Sequence, residues 1–268
     1  VVFSLGLKTY GTLSGRRSMC AIRNAAALSL IDKAPSYSSS FRRLEDPDLE
    51  PLLLALIEES ARPLKAVEVD FATDSSGFAT NTYSRWFDHK YGRVRSEQKW
   101  IKLHITTGVK TNVITAAIAT ADQSADAPQL PALTETTART FAVREMSADK
   151  AYSSKRNLRA VEAVGGTAFI PFKERTTGRA INPARHDSLW ERMWHYYNFN
   201  RSDFLCHYHK RSNVESTFWM VKSKFGASVR AKLETAQVNE VLLKVLCHNV
   251  VVLVQSIYEL GLEPVFWR

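Results

Sequence analysis

The chain has 268 residues, 45% of them hydrophobic and 24% charged, which is enough apolar material for one large globular domain or a domain with an appended segment. Lys and Arg number 36 against 27 Asp and Glu, giving a net charge of +9 and a pI near 9.5; that balance favours a polyanionic partner over small neutral or acidic metabolites. Cys20, Cys206 and Cys247 are odd in number and form no C-x-x-C pair, which argues against a disulfide framework or a cysteine zinc site and fits a reducing compartment.

Residues 1–62 read as an N-terminal helical segment, incomplete at its start and a candidate DNA-binding part. Its periodic positions are Met19, Ile22, Ala26 and Leu30, then Leu52 to Ile57 after a helix start at Asp48 and Pro51, with a loop over Ser36 to Ser40. Scattered charges at Lys8, Arg16, Arg17 and Arg23 leave no signal-peptide core. Val67, Val69 and Phe71 alternate with Glu68, Asp70 and Ala72, predicting a strand that ends at Asp74-Ser75-Ser76-Gly77. Trp100 to Thr107 and Val113 to Thr120, joined by a turn over Gly108 to Asn112, predict a hairpin. A short helix is expected within Ala125 to Thr137, and a strand over Phe141 to Met146 delivers Asp149 just past its end. Ser153 to Val164 reads as a helix stopped by Gly165-Gly166, and Thr167 to Phe172 as a further strand.

An aromatic-rich insertion at about 173–205 then precedes a helix through Glu215, and Glu234 to Leu260 is a long apolar helix. Its run Val250 to Val254 is far short of the ~20 residues that cross a bilayer, so no membrane association is expected. Strands first in hairpins and then alternating with helices give the order of a ribonuclease H-like α/β fold, a mixed sheet flanked by helices, over residues 63–268.

From Cys206 to Lys232 the only acid is Glu215, among Lys210, Arg211, Lys222, Lys224, Arg230 and Lys232. On one continuous helix at about 100° per residue, Tyr208, Arg211, Glu215 and Lys222 share one narrow face, beside an apolar stripe of Val214, Phe218, Val221 and Phe225. An ordinary i, i+4 ion pair between Arg211 and Glu215 would explain part of this face equally well. A two-metal phosphoryl-transfer site needs carboxylates converging from separate elements, because Mg²⁺ prefers hard oxygen ligands. Asp74, Asp149 and Glu215 meet that demand, although Asp74 would also suit a turn cap and Asp149 a helix start. Arg85, His89, Lys90, Arg93, Arg95 and Lys99, with Trp86, Phe87 and Tyr91 interleaved, suit a DNA-backbone contact or a solvated basic loop.

The spacing Y-x2-R-x3-E-x6-K from Tyr208 to Lys222, together with Val69 to Phe78, Trp100 to His104, Ala148 to Tyr152 and His207 to Phe225, resembles the successive blocks of DDE transposases from bacterial insertion sequences. The resemblance implies that Asp74, Asp149 and Glu215 are the catalytic acids and hold Mg²⁺ or Mn²⁺, as two ions. It also implies that Tyr208, Arg211 and Lys222, with Lys210 and Lys224, contact double-stranded DNA at the element's ends and the target. A homodimer on DNA and a cytoplasmic, nucleoid-associated location in a bacterium are expected on the same ground. Ala151 departs from the glycine common before Tyr152, and Asp70, which shares strand parity with Asp74, is an alternative first ligand. A nuclease of the same fold, a catalytically silent DNA-binding derivative and a basic interaction protein are the competing readings.

Overall fold

The strand read at Val67 to Ala72 starts and ends later than its alternation suggests. In the computed structural model, which describes residues 2–80, 90, 92, 99–173, 176 and 189–266, β1 spans Asp70–Ala79 and passes straight through Asp74-Ser75-Ser76-Gly77. Asp74 is therefore a mid-strand residue and not the end of one. The cause is its neighbour: β2 (Trp100–Gly108) runs antiparallel and offers a partner to every β1 residue from Phe71 to Ala79, with Asp74 opposite Ile105 and Ser75 opposite His104. A polar segment with a continuous backbone partner stays extended whatever its turn propensity.

β3 (Ile114–Ala121) completes the expected hairpin. Its turn is held by Glu68, a fully buried acid whose carboxylate accepts from Lys110 N, Thr111 N and Thr111 Oγ1. Gly108 is required there, because a Cβ would lie 2.4 Å from the Glu68 carboxyl carbon.

β4 (Glu145–Ala148) and β5 (Thr167–Phe169) run parallel to β1, giving a five-stranded sheet in the order β3-β2-β1-β4-β5. An antiparallel β1–β2–β3 meander followed by parallel strands on the far side of β1 is the ribonuclease H-like arrangement. The strand expected from Phe141 begins only at Glu145; Phe141 and Val143 enter the core as irregular chain.

The helices are α1 (Val2–Tyr10), α2 (Gly15–Ala27), α3 (Tyr37–Leu44) and α4 (Leu49–Ala61) before the sheet, then α5 (Leu130–Ala138) and α6 (Lys155–Ala163) between strands. They are followed by α7 (Leu189–Phe199), α8 (Arg201–Tyr208), α9 (Ser212–Phe225) and α10 (Glu234–Leu260). Where a loop was expected over Ser36 to Ser40, Ser36 instead caps α3, its Oγ accepting from Ser39 N at 3.1 Å. Serine-rich sequence reads as loop, yet serine is also a favoured N-cap. Of the basic segment, Arg85, His89, Arg93 and Arg95 lie outside the described residues, as does most of 174–188.

Alternation along β1 and β2 splits the core in two. Ala72, Phe78, Ile101, Leu103 and Ile105 pack with Val214, Phe218 and Val221 of α9, with α10, and with Leu5, Leu53 and Ile57 of the N-terminal helices. Phe71 points to the other face, with Met146, Tyr152, Leu158, Val161, Phe169 and Phe204. The residues facing α9 are therefore the even-numbered ones of β1, which include Asp70, Asp74 and Ser76. By length and composition α10 could cross a membrane, but buried Asn239, Glu240, Lys244, His248 and Asn249 find partners inside the protein, which marks a core helix.

Candidate active site

Parallel pairing of β1 with β4 sets Asp70 beside Glu145 and Thr73 beside Ala148. One residue past the last pair come Asp74, still within β1, and Asp149, just beyond the end of β4, close enough for the Asp149 charge to act on Asp74. The seam thus carries two rungs of acids on the α9 side, roughly 13 Å apart along the strand. Above them the chain turns from α8 into α9 through a 3-10 turn at His209–Arg211. The single continuous helix expected through Tyr208 and Lys222 is broken by this turn, which aims successive cations at successive rungs.

The lower rung is saturated with positive charge. Arg144 grips Asp70 through Nε at 2.8 Å and Nη2 at 2.7 Å, Lys210 Nζ reaches Asp70 at 2.8 Å and Glu145 at 2.7 Å, and His207 Nδ1 lies 2.9 Å from Glu145. Burial raises the Asp70 pKa, but the Arg144 and Lys210 hydrogen bonds outweigh it and hold the carboxyl below its usual range. Asp70 is thus a structural acid here, and Lys210 is committed to protein carboxylates.

The upper rung is short of positive charge. Arg211 Nη2 lies 3.1 Å from Asp74 and Nη1 2.7 Å from Glu215, in the first turn of α9. Its Nε is buried without a hydrogen-bond partner among the described residues. Burial pushes the Asp74 carboxyl above its usual range; the Ser75 amide and Arg211 pull it back, while the charges of Asp149 and Glu215 push it up again. Tyr208 is raised chiefly by burial and feels Arg211, Asp149, Asp74 and Glu215. Asp149 keeps its place through its own turn, its Oδ1 accepting from Lys150 N at 2.6 Å.

Lys222 sits one helix face along. Its Nζ donates to Ser76 Oγ at 2.6 Å and lies 5.2 Å from the Phe78 ring centroid. Burial lowers its pKa, and it forms no ion pair among the described residues. Lys224 turns elsewhere, its ammonium 4.8 Å from the Tyr10 ring centroid on α1. Of the eight candidates, then, Asp74, Asp149, Glu215, Tyr208 and Arg211 share one electrostatic site, and Lys222 borders it on Ser76, two residues from Asp74. Lys210 and Lys224 engage other parts of the protein.

The donor set fits a hard divalent cation, since three carboxylates face one guanidinium. As arranged, no three His, Cys, Asp or Glu side chains among the described residues are gathered tightly enough to share an ion; Arg211 lies between Asp74 and Glu215. Sequence reasoning missed Asp126, whose Oδ1 accepts from Ser75 Oγ at 2.7 Å and from Lys102 Nζ at 2.8 Å on the reverse face of the same strand. A histidine at 104 in an otherwise plain strand was the available signal.

Comparison with known proteins gives a family match: the transposase DDE domain model covers residues 65–250. No curated protein matches the chain. A solved structure, the piggyBac transposase synaptic complex with hairpin DNA determined by cryo-EM, aligns at a TM-score of 0.43 and 10% identity, over 82% of this chain and 56% of that chain. The chain therefore spans a little over half the length of that transposase.

Proposed function

This chain belongs to the transposase DDE domain family, and we propose that it cleaves the ends of an insertion sequence and joins their 3′-hydroxyls to target DNA. The observation that carries the reading is the charge imbalance at the upper rung, where among the described residues Arg211 is the one cation that pairs with Asp74 and Glu215, with Asp149 close by, four residues along β1 from a rung whose acids are paired. Asp74, Asp149 and Glu215 are the residues that would hold Mg²⁺ or Mn²⁺, as two ions, whose chemistry would be to activate water or a 3′-hydroxyl and stabilise the departing oxygen at phosphorus.

The protein's own groups do the rest. Arg211 can turn its fork from the two carboxylates to a phosphate, which it grips bidentately. Lys222 brings a point charge beside Ser76, and the Tyr208 hydroxyl, kept protonated, donates to a phosphate oxygen. A dimer on double-stranded DNA follows from the need to cut two ends together.

The test is an assay of cleavage and strand joining in Mn²⁺, on a plasmid carrying the DNA that flanks the gene, for the wild type and for Asp74→Ala, Asp149→Ala and Glu215→Ala. Each variant is expected to fall to background. Full activity in Glu215→Ala would sink the reading, and cleavage without joining would reassign the chain to a nuclease of the same fold.

A further inference from the structure

Behind the acids, on the opposite face of β1, lies a polar cluster that the proposed chemistry does not use. Asp126, in the chain between β3 and α5, accepts from Ser75 Oγ at 2.7 Å and pairs with Lys102 Nζ at 2.8 Å, and His104 Nδ1 lies 3.4 Å from the same oxygen. His104 and Tyr152 are fully buried, with the Tyr152 hydroxyl 3.5 Å from His104 Nδ1. Lys102 also donates to the Ser124 carbonyl at 2.9 Å, which staples the Asp126 segment to β2.

One end of this cluster touches the residue that follows Asp74, and the other lies in the turn that Asp149 caps. Ser75 follows Asp74 and donates its amide to Asp74 Oδ1 at 2.8 Å. Tyr152 ends the 3-10 turn that Asp149 caps, its amide donating to the Asp149 carbonyl at 2.9 Å. Asn157 Nδ2 closes the circuit, donating to the Ala127 carbonyl at 2.9 Å and the Tyr152 carbonyl at 2.6 Å.

We propose that Asp126 is a positioning residue that fixes the spacing of Asp74 and Asp149, acting through Ser75 on one strand and through the Ala127–Asn157–Tyr152 hydrogen bonds on the next turn. The inference rests on the transposase reading for its functional consequence. Carboxylates that repel one another need a rigid support to stay converged before a cation arrives, and outer partners of this kind typically change metal affinity or activity by about ten- to a hundredfold. An acid that merely pairs with Lys102 would support the fold and leave the site unchanged.

The experiment compares Asp126→Ala, Asp126→Asn and Ser75→Ala with wild type. Aspartate is labelled with ¹³C at the carboxyl, and the Asp74 and Asp149 resonances are assigned with Asp74→Asn and Asp149→Asn. In metal-free protein, Asp126→Ala and Ser75→Ala are expected to move both carboxyl resonances, and Asp126→Asn, which keeps an acceptor for Ser75, to move them less. In Mn²⁺, kcat for DNA cleavage is expected to fall about ten- to a hundredfold in Asp126→Ala with KM for DNA within about twofold. Unmoved resonances in a folded variant would overturn the inference, whether or not the wild type cuts DNA. An inactive wild type whose resonances respond as expected would overturn the transposase reading alone. Should Asp126→Ala fail to fold, Ser75→Ala carries the same comparison, because it removes one hydroxyl from a half-buried position.

Discussion

Arg211 shows how geometry, and not charge alone, sets the worth of an ion pair. Its two Nη atoms serve two different acids, and the longer contact matters more. The Asp74 side chain is only 19% exposed, against 57% for Glu215, whose shorter contact is screened by water. Arg211→Ala strands Asp74 in a half-buried site with Asp149 and Glu215 nearby, and is expected to cost about 1–3 kcal/mol of stability by urea denaturation. Arg211→Lys should recover only part of that, since Arg211 meets its two acids through two separate Nη atoms and a single ammonium does not reproduce that fork. A second residue gives a pH signature. Burial holds the His104 pKa down at about 4 against 6.5 unfolded, with Asp126 opposing the shift. Between these values the unfolded chain binds a proton that the fold refuses, so this contribution to stability is fully present above pH 6.5 and is lost as pH falls through 4. The shift corresponds to about 3 kcal/mol, and His104→Asn should flatten that part of the stability-against-pH curve measured in denaturant.

Among the elements, the 3-10 turn at His209–Arg211 decides which cation meets which acid. Lys210, 28% exposed, ties it to Asp70 and Glu145, which are 9% and 13% exposed. Lys210→Ala should therefore lower stability by about 1–2 kcal/mol and loosen Arg211 next to it, with equilibrium unfolding and the cleavage rate as the two measurements. The turn was not legible in the sequence: His209-Lys210-Arg211 carries no Gly or Pro, and a uniform 100° step runs through it. The wheel still brought Tyr208, Arg211, Glu215 and Lys222 to one side, because a short 3-10 stretch alters the phase without reversing the face. The hairpin, α6 and α10 could be read because their patterns record burial directly. β1 could be read only at its apolar start, since Asp74, Ser75 and Ser76 are polar for the sake of the site and look like a turn. Lys102, His104 and Thr106 alternate with Ile101, Leu103 and Ile105 along β2, and His104 and Thr106 are fully buried too, under Tyr152 and Thr73; alternation distinguishes two faces without saying that both are covered.

Across the molecule, α10 joins parts that are remote in sequence. Asn249 donates to the carbonyls of Ile114 and Ile57 and to Ser60 Oγ while accepting from Ile114 N, so it seals the start of edge strand β3 and binds it to α4. Lys244 donates to the carbonyls of Gly226 and Ser228, and the chain there pairs with Ala79 at the end of β1. The helix thus braces the sheet region that carries Asp74 at the start of β3 and at the end of β1. Positive charge already consumed inside the protein cannot also neutralise phosphate, which separates the lysines by experiment. Duplex DNA affinity measured between about 50 and 200 mM salt should fall along a straight line in log–log form, with a slope set by the number of phosphates neutralised. Lys222, which has no ion pair among the described residues, should contribute to that slope, and Lys222→Ala is expected to reduce it by about 1 unit. Lys210, held by Asp70 and Glu145, should leave the slope unchanged when replaced by Ala. An equal loss of slope in both variants would show that Lys210 leaves its carboxylates on binding DNA, and the lower rung would then have to be counted as part of the interface.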